Sequence, residues 1–196
     1  MIGSFLVVAA IVSFYFENFA KFQMFEEVFE RVIGSASAFR AGVFEHYQNS
    51  KDINFSEKIR KSKSLTTFFT YSDGFLKRYK EEIEEHIKKG GSIKFYFIAD
   101  NAPIIEMMKK SGWNQESISA NYAYLKNFAN EHDQNENVQV IFCDAVPRYS
   151  AVVFDHEMYI IEQTNSKGQR AVPAMKIDGG GYLAEFYRDD LKRLEG

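Results

Sequence analysis

The segment Val146-Pro147-Arg148-Tyr149-Ser150-Ala151-Val152-Val153-Phe154-Asp155 sets a guanidinium, a phenol, a hydroxyl and a carboxylate along one short run. It reads as a strand entered through a proline, with polar side chains at its start and an acid at its end. Arg148 stays protonated, offers no lone pair, and binds oxyanions through a planar fork of donors. Ser150 supplies a hydroxyl. Tyr149 and Tyr71 can present a ring face to a base or a hydroxyl to an oxygen. Such a set suits holding a phosphate rather than attacking one. An ion pair of Arg148 with Asp144 or Asp155 is the competing reading of the guanidinium. His156 falls on the opposite side of the strand from Asp155 and is not taken as a nucleophile.

These residues need a sheet to carry them. Apolar and β-branched runs predict strands over 65–71, 93–99, 138–144, 150–154, 158–163 and 171–177. Asn54 or Ser56 caps a helix running through Lys63. Gly74 opens a charged helix with Phe75, Leu76, Tyr79, Ile83 and Ile87 as its inward stripe, stopped by Gly90-Gly91. Further helices are expected over 104–111, 117–130 and 183–194. Residues 41–47 read as a short mixed apolar run. Strand and helix alternate early and strands follow one another later, which gives an α/β domain with a mixed sheet flanked by helices. Ser72 and Asn101 then follow strands at the end where open α/β sheets bind ligands. Asn165 and Lys176 are expected to reach the same end, so the candidate ligand site is Arg148, Tyr149, Ser150, Asp155, Tyr71, Ser72, Asn101, Asn165 and Lys176.

Composition narrows the classes. The chain has 196 residues, 45% of them hydrophobic, enough for one core and an extra helix. A net charge of −3 neither demands nor excludes nucleic acid. One cysteine, Cys143 in an apolar run, rules out an internal disulfide framework and reads as a buried thiol. No CxxC or His-rich spacing suggests a metal, and no cofactor is expected. Gly179-Gly180-Gly181 lacks the Lys and Ser/Thr of a phosphate-binding loop and reads as a turn.

The first residues carry a separate decision. Residues 2–16 contain no charge, and their length is somewhat short for a hydrocarbon core. A buried core helix is the alternative, but a single membrane-spanning helix over 1–22 is the expectation. Lys21 and Arg31 on its C-terminal side then place the globular part in the cytoplasm, at the cell membrane. Phe25, Phe29, Val32 and Ile33, continuing the stripe from Phe22, make an amphipathic connector of 23–40, and the domain proper spans 41–196.

Over roughly 41–194 the order of elements resembles one half of the phospholipase D-like superfamily. The family signature is a His, a Lys two positions on, and an Asp five further. Here Arg148 stands at the His position, Ser150 at the Lys position, and Asp155 keeps its place. The resemblance therefore implies a phosphodiester site without its nucleophile, so no catalytic residue is assigned and hydrolysis by the family route is expected to be lost. Because the family builds one site from two halves, it also implies a homo-oligomer, a dimer or tetramer. The function expected from the whole is a membrane-anchored sensor or effector. Its domain binds a nucleotide or short single-stranded nucleic acid and governs how the membrane helices associate, as in a pore-forming effector of antiviral defence. An active phosphodiesterase or nuclease working as a homodimer is the alternative, and an anchored scaffold without a small ligand is the third.

Overall fold

The computed structural model describes residues 41–69, 73–100, 103–110, 112–144, 148–162 and 171–195. The segments 1–22 and 23–40, expected to be an anchor and a connector, lie outside them. Residues from Gly42 onward form one compact unit. Its centre is a seven-stranded sheet in the order β1-β7-β6-β5-β2-β3-β4. The strands are β1 Val43–Tyr47, β2 Ser64–Phe69, β3 Ser92–Ile98, β4 Val138–Cys143, β5 Tyr149–Phe154, β6 Glu157–Glu162 and β7 Ala174–Asp178. β2, β3 and β4 run parallel, and the remaining neighbours are antiparallel. Parallel strands need long crossovers, which α2 Asp73–Arg78 and α3 Lys80–Lys88, then α4 Pro103–Lys110 and α5 Gln115–Glu131, supply. β5 passes into β6 through a two-residue turn, as an antiparallel pair allows. α1 Phe55–Lys61 leads into β2, and α6 Tyr182–Lys192 closes the fold.

The two sheet faces bury different sets, because neighbouring residues of a strand point to opposite sides. On the first face Leu65, Phe69, Phe95, Phe97, Val152, Phe154 and Tyr159 pack beneath Ile59 of α1, Leu76 of α2, Ile83 of α3, and Leu125 and Phe128 of α5. On the second, Phe68, Tyr96, Ile98, Ala151, Met158, Ile160 and Ile177 meet Ala184 and Leu191 of α6. Ile105, Met108, Ile118 and Tyr122 form a smaller cluster where α4 meets α5. Strands covered on both sides explain the near-continuous apolar runs of β3 and β5.

Several boundaries have local causes. The Asn54 side chain accepts from the Glu57 N–H at 3.2 Å and starts α1, and Asn114 accepts from Glu116 at 2.7 Å and starts α5 two residues before the expected helix. The helix expected to run unbroken from Gly74 divides at Tyr79, whose backbone (φ −111°, ψ 24°) is not helical. β7 begins at Ala174 rather than residue 171, since Pro173 has no N–H for the ladder. From its residues alone β1 reads only as a mixed apolar run. Its Glu45 and His46, and a register shift between Val43 and Glu45, hide the alternation of an edge strand.

One expectation is corrected. A single-pass place in the cell membrane with a cytoplasmic domain needs a long apolar helix. Among the described residues no helix is long and apolar enough to cross a membrane. The longest, α5, has 17 residues and includes Gln115, Glu116, Lys126, Asn127 and Glu131. At about 1.5 Å per residue it spans roughly 26 Å, short of a hydrocarbon core of about 30 Å even without those polar groups.

Candidate functional site

β5 divides the expected site. Arg148 is exposed at a bend just before the strand. Ser150, Val152 and Phe154 follow at every second position, and the last two lie in the first-face core, so Ser150 shares that side of the strand, with Arg148 just ahead of its first residue. Ser150 is 6% exposed. Thr67 of β2 lies opposite Val152 on the same face, 0% exposed, and its Oγ1 has no hydrogen-bond partner. A guanidinium at the rim thus leads inward to two buried hydroxyl residues. This end of the sheet also receives the carboxyl ends of the parallel strands β2, β3 and β4. Tyr71, Ser72, Asn101 and Asn165 lie outside the described residues.

Tyr149 points the other way. Its hydroxyl donates to Asp190 Oδ2 of α6 at 2.8 Å, and its ring meets Tyr187 at 4.8 Å and Phe68 at 5.6 Å. Burial pushes the phenol pKa well up, and the bond to the Asp190 carboxylate pushes it further in the same direction. Tyr149 therefore pins α6 to the second face, and its ring is committed to packing.

Asp155 sits at the far end of β5, roughly 23 Å from Arg148 at about 3.3 Å per residue. With His156 it forms the two-residue loop of the β5–β6 hairpin, since Phe154 is paired with Glu157. Its φ of +37° lies in the left-handed region, which Asp tolerates better than most side chains. The carboxylate accepts the N–H of Lys63 at 3.1 Å, the N–H of Ser64 at 2.8 Å, and the Ser64 hydroxyl at 2.8 Å. Partial burial raises its pKa, but these donors outweigh it and hold the group below its ordinary value. Asp155 thus ties the hairpin turn to the start of β2. It is not part of a pair with Arg148.

Lys176 belongs to a third place. Its Nζ lies 2.8 Å from Glu157 Oε1, while Lys58 Nζ lies 2.6 Å from Glu157 Oε2 and the Tyr159 hydroxyl donates to that oxygen at 2.9 Å. Burial raises the Glu157 pKa, yet the bonds from Lys176, Lys58 and Tyr159 prevail and bring it to about 2. This knot borders an open cleft of about 650 Å³, lined among others by Glu45, Tyr47, Ile53, Phe154 and Asp155. Four carboxylates on its lining are already engaged. Glu157 has three donors, Asp155 is used by Lys63 and Ser64, Glu57 takes Lys61 at 2.5 Å, and Glu45 takes the Tyr47 hydroxyl at 2.6 Å. A carboxylate near pKa 2 is a poor proton donor or base at neutral pH. Sequence reasoning missed this cleft, because β1 was not seen and Lys58 and Glu157 stand far apart in the chain. No local motif marks it.

The expected set is therefore divided, with Tyr149 turned to α6 on the second face. Arg148 and Ser150 sit together at one end, Asp155 caps a turn at the other, and Lys176 braces β6 and β7. Among the described residues no group of three or more His, Cys, Asp or Glu could hold a metal ion. Cys143 is buried, donates to the Phe97 carbonyl at 3.2 Å, and has its pKa raised by burial, as suits an inert thiol.

No family model and no curated protein matches the chain. Nine chains of solved structures do match. Among them is TrmBL2, an archaeal chromatin protein whose structure is described as showing a novel mode of DNA binding. The TM-score is 0.50 at 12% identity, over 96% of this chain. The chain spans 66% of the length of that structure. At this identity the likeness is one of fold.

Proposed function

We propose that the unit from Gly42 onward is a phospholipase D-like domain that has become a binding module, and that its ligand is a nucleotide or a nucleic-acid strand held by a phosphate. The observation that carries this reading is the position of Arg148. It is exposed, two residues ahead of the buried Ser150, at the sheet end that collects the parallel strands' carboxyl ends. A guanidinium there offers bidentate donors to a phosphate and no lone pair for attack. The one acid of the family pattern supports the same conclusion, because Asp155 is occupied by backbone donors at the other end of the strand. The fold shared with a DNA-binding chromatin protein favours nucleic acid over an unrelated phosphodiester.

The test is fluorescence anisotropy with short labelled single- and double-stranded DNA, run beside a gel assay for cleavage. The expected result is salt-sensitive binding of uncleaved DNA. Arg148→Ala lowers affinity by about 1.5–3 kcal/mol, the worth of a charge-assisted contact, and Arg148→Lys restores part of it. Cleavage that disappears in Arg148→Ala would establish the phosphodiesterase alternative instead. Absence of any binding would remove the nucleic-acid reading.

A further inference from the structure

The sheet has two edges among the described residues, and they are built differently. β1 carries Glu45 and His46 and a register shift between Val43 and Glu45. Charge and bulges are the devices by which sheet edges avoid pairing with other chains. β4 has none of them. Its sequence Val138-Gln139-Val140-Ile141-Phe142-Cys143 holds no charge and no proline, and it pairs with β3 without a register shift over all six residues. Phe142 remains 37% exposed at this edge, beside Phe97 at 5.9 Å.

We infer that β4 is a self-pairing edge, and that two copies of this chain join through it in an antiparallel β4–β4 ladder that continues one sheet into the next. The strand is self-complementary about Ile141. A two-fold axis there keeps the faces of the two sheets aligned and sets Ile141 opposite its own copy on the second face. On the first face Phe142 lies opposite the other copy's Val140, which covers the exposed ring. Gln139 lies opposite Cys143. No charge meets its like across the axis. This interface lies away from Arg148 and Asp155 and does not depend on how either is used.

Light scattering and sedimentation of the full chain test it. The expected mass is that of two chains, falling to one on Phe142→Lys, while Phe44→Lys on β1 leaves it unchanged. Gln139→Lys, at an exposed position outside the core, gives the same fall and guards against misfolding of the first variant. Ile141→Cys in a Cys143→Ser background gives an intermolecular disulfide on mild oxidation. Directly opposed Cβ atoms stand about 4.5–5.5 Å apart, close to the span a disulfide bridges. A single-chain mass for the unaltered protein overturns the inference. So does a two-chain mass that both lysine variants leave intact, or the absence of the disulfide.

Discussion

At the scale of single residues, the sheet keeps polar groups where an apolar core would have none. Thr67 is wholly buried and its hydroxyl has no partner. Valine has the same shape without the hydroxyl, so Thr67→Val is expected to stabilise the domain by about 1–3 kcal/mol, the desolvation cost of an unmatched group, read as a higher urea midpoint with an unchanged slope. A stabilised variant that also binds DNA more weakly would show that Thr67 is retained for the ligand. The alternation of β5 was legible in the sequence, since Ser150 is buried on the side that Val152 and Phe154 share. What alternation could not reveal was the job of Asp155. Its spacing fits a family motif, and its surroundings are those of a turn, fixed by Lys63 and Ser64 from a distant part of the chain.

At the scale of elements, two cross-ties hold the meander to the rest. Asp155 joins the β5–β6 turn to the start of β2. Asp155→Gly keeps the left-handed backbone available and loses only the carboxylate bonds, whereas Asp155→Ala loses both. Both are expected to lower stability, with alanine the lower of the two. The loss for glycine is about 1–2 kcal/mol, discounted because the turn is exposed. Thermal melts of the pair separate backbone from side chain. The second tie is Glu157 between Lys58 and Lys176, which clamps α1 to β6 and β7. A carboxylate whose pKa is depressed by folding stabilises above its ordinary range near 4.5 and loses that contribution as pH falls towards 2. The melting temperature should therefore fall across that window, and Glu157→Gln should show a flatter profile that meets the unaltered protein at its acid end. Equal slopes for the two proteins would refute this. Strands β2 to β6 were legible from their apolar runs within a residue or two. β1 was not, because an edge strand need bury little and can carry charges on both faces.

For the whole molecule, the class was readable and the membrane was not. Alternating elements followed by consecutive strands fit only a mixed sheet, which is what the chain forms. The anchor was inferred from apolar content over 1–22, outside the described residues, and the described helices offer no span. Binding of nucleic acid by the whole protein is expected to follow the counterion law, with log affinity falling linearly with log salt. Arg148→Ala should reduce the slope by about one, the share of one phosphate contact. An unchanged slope would place the phosphate elsewhere on the surface. Arg148 and Asp155 were joined by their offset within one segment, whereas the fold separates the ends of that segment by the full length of β5.

The bond between β2 and β5 has an outcome for synthesis on the ribosome. Leu65 pairs with Phe154, so the parallel group of strands meets the meander only once the chain has been made beyond that point. Until then β2, rich in Thr and Phe, has a bare flank in the nascent polypeptide. Shortened products ending before β5 should therefore clump inside cells, while those that include the hairpin stay dispersed.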